Sequence, residues 1–350
     1  MTLLPSGQTY SEELRAAVRR FESGLYGMAG QQVLTILQKN PNDQEALYLL
    51  RLVERRLGRT KTAAKPTLIW QFDPDGAWES DWLNFLLRGA VEKTIVDNTW
   101  SQLAPTMIVV DNRLVEAKVQ YYRRAFEAGC SVILIHLSDE AFKDDLTAYR
   151  YCDAVIRNYH SEVLAESNKI QFFPLGYKSG FAHTAVTPKA VKDRKYLWSF
   201  AGDAKKLTRS DMLKAMAALD GGFQHLTEGF GSADALTTSE YRTLMDETVL
   251  APCPGGWSNL ETFRVYEALE AGCIPIVEQR PGFDYFTRLL GPHPIPTVLE
   301  WSEAPDLARR LQVDGELEPL RQQCAAWWAT YKPALARTLS NFMERRLKPF

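Results

Sequence analysis

The segment Val249–Val277, VLAPCPGGWSNLETFRVYEALEAGCIPIV, decides how the rest of the chain is read. Val249 to Ala251 is a short apolar run suited to a buried strand. Pro252, Pro254, Gly255 and Gly256 then forbid regular structure, so the chain must turn. A helix follows, with Ser258 or Asn259 as N-cap, Glu261 in its first turn, an apolar face of Phe263, Tyr266, Ala268 and Leu269, and Gly272 to close it. Cys273 to Val277 is the next strand. A glycine-bearing loop feeding a helix N-terminus at the carboxyl end of a parallel strand favours anions, because free N–H groups and the helix dipole point at the same spot.

Outward from this unit the chain alternates in the same way. Toward the N-terminus, Tyr196–Ala201 reads as a strand, Gly202 to Arg209 as a loop with Lys205 and Lys206, and Ser210–Leu219 as a helix. Gly202 lets the backbone approach a ligand. Arg209 can form a bidentate pair with a diphosphate, with Lys205 or Lys206 adding a point charge. Further back, Thr67–Phe72, Met107–Asp111 and Ser131–His136 are strand-like runs separated by the amphipathic stretches Trp82–Glu92 and Leu114–Ala128. Val155–Asn158 and Ile170–Pro174 add two short strands. The rhythm is that of a doubly wound parallel sheet, whose ligands sit beyond the carboxyl ends of the strands.

Residues 10 to 58 hold no strand-like run, and their apolar residues recur at helical spacing, which predicts three helices. Residues 30 to 58 resemble a degenerate tetratricopeptide unit with Pro41 between helices. A lone unit either packs on the body or docks a partner chain or a second copy. Thr60–Pro66 and residues 182 to 194 read as linkers, and 304 to 350 as terminal helices that return to the body. The domain organisation expected is thus 1–60, 67–181, 195–303 and 304–350. Trp327 and Trp328 are adjacent, so they are expected to point apart and to pack.

The totals bound the function. The 350 residues carry 41 Lys and Arg against 43 Asp and Glu, a net charge of −2, so no basic field for nucleic acid exists and an anionic ligand must be met by local cations. The five cysteines are scattered through apolar runs without a C-x-x-C spacing, as buried thiols of a reducing compartment are. No run of about 18 apolar residues occurs. A cytoplasmic protein, resting at most on the inner face of a membrane through Arg337, Arg345, Arg346 and Lys348, is expected.

Arg264, Glu267, Ala268, Leu269, Gly272, Cys273, Ile274 and Pro275 resemble the R-x-x-E-A-L-x-x-G-C-I-P signature of the exostosin-type glycosyltransferases. Leu137-Ser138-Asp139-Glu140, followed by Arg157-Asn158-Tyr159, resembles the ribitol xylosyltransferase-like branch of that family, and Pro174-Leu175-Gly176-Tyr177 its exit from the first domain. The resemblance implies a GT-B fold, two Rossmann-like domains facing a cleft, here with an N-terminal helical appendage. It also implies a nucleotide-sugar donor, with UDP-sugars favoured, Glu267 on the donor ribose and Arg264 on the diphosphate. Asn259 stands where many GT-B enzymes carry a second glutamate. Gly202, Lys205, Arg209, Gly256, Trp257 and Asn259 complete the expected donor site, Trp257 by stacking on a base or sugar.

The acceptor would be a glycan, a lipid-linked saccharide or a polyol-phosphate-containing chain of a cell-surface polysaccharide, and transfer would be inverting. That chemistry needs one carboxylate near the acceptor hydroxyl, and Asp75, Glu79, Asp139 and Glu140 qualify by position. Asp139 reads equally as the N-cap of a helix over Ala141–Tyr149, and His136 as a core residue or a ligand contact. No metal is required where cations neutralise the departing diphosphate. Asp73-Pro74-Asp75 spells a metal-binding D-x-D of another fold class, with Pro74 fixing its backbone. Two other functions fit the frame: a nucleotide-sugar 2-epimerase, and a non-catalytic scaffold that works through its helical arm.

Overall fold

A computed structural model describes residues 11–57, 65–182, 187–229 and 231–347. The arm is three helices, α1 (Glu12–Glu22), α2 (Tyr26–Lys39) and α3 (Gln44–Leu57). Ser11 caps α1 by accepting from Leu14 N–H at 3.1 Å. The apolar faces of the helices close on each other around Val33, Leu49 and Val53 and take in Phe126 of the body. Arg150 clamps the arm from the body, with Glu45 at 2.7 Å and the ring of Tyr48 at 4.6 Å. The arm therefore packs on the first α/β domain. Most of the linker expected at 60–66 lies outside the described residues.

That domain runs β1 (Thr67–Trp70), α4 (Ser80–Leu86), β2 (Lys93–Val96), β3 (Thr106–Asp111), α5 (Glu116–Glu127), β4 (Ser131–His136), β5 (Ala154–Arg157), α6 (Glu162–Ala165) and β6 (Ile170–Phe172). All pairings are parallel, in the order β2-β1-β3-β4-β5-β6. The second domain runs β7 (Tyr196–Asp203), α7 (Arg209–Met216), β8 (Gly222–Thr227), α8 (Thr238–Asp246), β9 (Thr248–Cys253), α9 (Phe263–Glu270), β10 (Ile274–Glu278), α10 (Tyr285–Leu290) and β11 (Thr297–Val298). Its five parallel strands lie in the order β11-β10-β9-β7-β8. Each domain's first strand lies between its second and third, so each sheet has a point where the strand order reverses and a crevice opens. α11 (Ala304–Val313) and α12 (Leu317–Leu347) follow.

Five local expectations are corrected. β9 continues through Pro252, which pairs with Ile276, and the turn begins at Pro254. A parallel strand tolerates a proline where no ladder donor is needed. α9 starts at Phe263 with Thr262 as N-cap, because Asn259 Oδ1 instead accepts from Glu261 N–H at 3.1 Å and shapes a turn ahead of the helix. No α-helix forms over 141–149. Asp139 Oδ1 accepts from Lys143 N–H at 2.8 Å within an irregular loop, and a 3-10 turn covers Leu146–Tyr151. The stretch before β7 is anchored rather than free, since buried Arg194 donates to Thr248 O at 2.6 Å and Ala271 O at 3.0 Å; residues 183–186 lie outside the described residues. Trp327 and Trp328 share one stack with Tyr331, at ring distances of 4.8 and 5.9 Å.

α12 returns to the first domain, where Trp328 stacks on Trp82 of α4 at 5.7 Å. A single apolar core runs from β1 and β3 through α9 and α12, so the two sheets are held at a fixed relation. The cleft between them is the consequence. All five cysteines are free and buried. Among the described residues no helix is long and apolar enough to cross a membrane.

Candidate donor-binding site

The site grows from the crevice between β7 and β9. Arg209 is the first residue of α7 and is 5% exposed; its Nη1 donates to Asp203 O at 2.8 Å and its Nε to Gly255 O at 3.2 Å, tying the two crevice loops together. Arg264, in the first turn of α9, donates from Nη2 to Ala201 O at 2.6 Å and lies 4.4 Å over the Phe200 ring, while its Nε is buried without a partner. Gly202 sits beneath them with φ +139, and a Cβ there would stand 3.0 Å from Arg264 Nη2. The positive φ, more than the guanidinium lying against the backbone, is what calls for glycine here. Burial, and then repulsion from Arg264, push Arg209 down to about 10. Lys206 is lowered too, by burial first and Arg209 next, and stands 4.9 Å from the Trp257 ring. Two neighbouring guanidiniums directed at backbone carbonyls rather than at carboxylates hold positive charge ready for an anion.

Glu267 lies one turn beyond Arg264 on the same face of α9, buried, with Lys178 N–H at 3.4 Å. Burial raises it to about 7 against the opposing pull of Arg264. Glu261, which the sequence suggested only as a first-turn residue, is a hub between domains. It accepts from Leu175 N–H at 2.7 Å, Tyr266 OH at 2.6 Å and Tyr285 OH at 2.8 Å, and burial raises it to about 7.

From the opposite side, Glu140 reaches across the cleft. Its Oε1 accepts from three consecutive backbone N–H groups, those of Trp257 at 2.6 Å, Ser258 at 2.8 Å and Asn259 at 3.1 Å. A Cβ on Gly256 would come within 2.5 Å of the same oxygen, so the close approach depends on that glycine.

The cleft has a volume of about 610 Å³ and is lined from both domains, by Trp78, Glu140 and Tyr159 on one side and Lys206, Arg209, Arg264 and Glu267 on the other. Of the residues expected from sequence, Glu140, Gly202, Arg209, Gly256, Trp257, Arg264 and Glu267 meet here. Six do not line it. Lys205 is exposed, its backbone N–H held by Asp203 Oδ1 at 2.7 Å, and Lys206 takes the inward position. Asn259 contributes only its backbone N–H, to Glu140. Asp139 is buried against Arg157 at 3.3 Å, and Asp75 sits in an exposed 3-10 turn capped by Asp73. Glu79 is buried behind the same loop, within 3.5 Å of Ser138 OH. His136 belongs to the core, bonded to Tyr149 OH at 2.7 Å and Asp144 at 2.8 Å. His136, Asp139 and Asp144 cluster closely enough to share an ion, but Arg157 already balances Asp139 there.

Two Rossmann-like domains facing a cleft, with cations and a buried carboxylate at the second domain's crevice, make up a GT-B fold. Residues 178–347, which include the second domain and the terminal helices, match the family described as RXYLT1 C-terminal domain. The chain is 24% identical over 213 residues to ribitol-5-phosphate xylosyltransferase 1 of Danio rerio, a match covering 55% of this chain and 49% of that protein. It therefore spans about half the length of this relative. Among solved structures it resembles Anabaena HepE in complex with UDP, at 10% identity and a TM-score of 0.51, over 80% of this chain and 100% of that one. The Thermobaculum terrenum O-GlcNAc transferase superposes over 96% of this chain and 83% of its own, at 11% identity and a TM-score of 0.49.

Proposed function

We propose that the protein transfers a sugar from a UDP-sugar to a hydroxyl of a glycan, lipid-linked saccharide or polyol-phosphate-containing acceptor of a cell-surface polysaccharide, with inversion at the anomeric carbon. The observation that carries this reading is the pair of guanidiniums, Arg209 buried and Arg264 partly buried, poised at the crevice where a parallel sheet reverses. Arg209, Arg264 and Lys206 take the diphosphate, and Glu267, on the same helical face as Arg264, takes the ribose. UDP as the nucleotude class is drawn from HepE, and xylose transfer from the name of the Danio rerio relative.

Glu140 is the first-domain carboxylate that lines the cleft among the described residues, and it is assigned the base. In the transfer step the acceptor oxygen bonds to the anomeric carbon as its proton passes to Glu140. The bond from that carbon to the diphosphate oxygen breaks, and its electron pair leaves with UDP. The guanidiniums meet the charge that grows on the diphosphate, so this reading calls for no metal. The protein is assigned to the cytoplasm, with the outer face of its body-docked arm offered to a partner chain or a second copy and the basic tail near the membrane face.

Incubation with a panel of UDP-sugars, with and without a cell-surface glycan extract, tests the proposal. UDP release that rises with acceptor, together with labelled sugar in the glycan fraction, is the expected result. An epimerised nucleotide sugar formed without acceptor contradicts it.

A further inference from the structure

The seat occupied by Glu140 has the geometry of a phosphate-oxygen site. Three successive N–H groups converge on one oxygen, and such nests bind anions of any kind, because only charge and concavity are recognised. Lys206 and Arg209, which would meet a diphosphate, already feel the charge of Glu140. The first domain thus supplies a carboxylate to the second domain's anion-binding loop. The residues around it differ in how firmly they are held. Asp139, next in the chain, is fixed by Arg157 at 3.3 Å and by Lys143 N–H at 2.8 Å. Ser138 and Phe142 on either side take left-handed backbone conformations, with φ +65 and +53, that side chains rarely adopt. The loop base is therefore anchored, and Glu140 can leave its seat by changing its own side-chain torsions.

Building on the donor-site reading above, we propose that Glu140 is a stand-in for the donor diphosphate: the diphosphate displaces its carboxylate from the 257–259 loop and so frees it to face the acceptor. The consequence is an order of events. With the cleft empty, the base is bound to backbone N–H groups and is unavailable to an acceptor hydroxyl. A doubly charged diphosphate outcompetes a single carboxylate at a seat within the field of Lys206 and Arg209. Donor binding precedes productive acceptor binding, and an acceptor alone cannot present its proton to the base.

Calorimetric titration of the full chain with UDP, inorganic pyrophosphate and uridine, for wild type, Glu140→Gln and Arg264→Ala, tests this. Glu140→Gln keeps an acceptor oxygen but loses the charge, so UDP and pyrophosphate bind it about tenfold more tightly than wild type, while uridine binds both alike. Glu140→Asp, one methylene shorter and still charged, shifts pyrophosphate binding in the same direction and guards against a folding defect peculiar to the glutamine variant. If wild type binds UDP, Arg264→Ala does not, and Glu140→Gln binds no better than wild type, the displacement is overturned while the donor site stands. If neither wild type nor Glu140→Gln binds UDP or pyrophosphate, the donor-site reading fails and the displacement with it.

Discussion

The two α/β domains share one strand order, yet their crevices hold opposite chemistry. At the end of β3 in the first domain, Asp111 is already balanced, by Lys118 and by Tyr122 OH at 3.0 Å, and after β2 Asp97 accepts from the 101 and 102 N–H groups at 2.8 Å each. Beyond β7 and β9 in the second, the side-chain hydrogen bonds of Arg209 and Arg264 go to backbone carbonyls; Arg264 feels Glu267, and Arg209 feels Asp203 and, from the other domain, Glu140, without a hydrogen bond to any of these carboxylates among the described residues. Topology supplies a crevice twice. Which one binds is decided by whether the charges beside it are hydrogen-bonded to an opposite charge, and in the second domain the two guanidiniums are not.

The largest expected effect comes from emptying the second crevice. Arg264→Ala should weaken UDP binding by about a hundredfold or more, because truncating one member of a desolvated charge pair costs about 2–5 kcal/mol. The same charge removal in the first crevice should act differently: Lys118→Ala leaves buried Asp111 uncompensated and is expected to cost about 3 kcal/mol of stability. Chemical denaturation together with UDP titration checks both. A loss of UDP affinity in Lys118→Ala at temperatures where it stays folded would break the contrast.

The buried carboxylates sharpen it by pH. Burial raises Glu79 from 4.5 to about 7, so between those values the folded chain keeps a proton that the unfolded chain has lost. Stability from this group is full below about 4.5 and is lost as pH rises through about 7. Glu79→Gln should therefore be the more stable form at pH 8, on the order of 2 kcal/mol, with the two proteins converging near pH 5. Melting curves across that range decide it, and parallel curves for the two proteins would contradict the assignment. The smallest effect is expected from Trp257→Ala. This ring is 64% exposed at the cleft mouth, and its loss should weaken UDP binding only about threefold.

What the sequence made legible follows from where its information lies. Buried central strands such as Ser131–His136 are continuous apolar runs and were readable to the residue. The strands that escaped notice, Lys93–Val96, Gly222–Thr227 and Thr297–Val298, lie at sheet edges; the first two carry exposed or alternating residues, and the third has only two. In the cleft lining, Gly202 and Arg209 were legible from glycine and cations beside a strand end, and Arg264 and Glu267 from the resemblance of residues 264–275 to the exostosin-type signature. Nothing in the order Lys205-Lys206 says which lysine turns inward; that depends on Asp203 capturing the 205 N–H and setting the turn. Glu261 escaped because its partners, Leu175 and Tyr285, are brought to it only by the docking of the two domains. Asp139 misled for a similar reason, since its partner Arg157 lies 18 residues away on β5.

The account rests on the second crevice being the seat of a nucleoside diphosphate. Titration of the wild-type chain with UDP, in the presence of a chelator and beside an Arg209→Ala, Arg264→Ala double variant, tests this most directly. Micromolar binding to wild type that vanishes in a folded double variant is the result the account predicts. Equal binding by the two proteins, or no binding of UDP by the wild type, would contradict it.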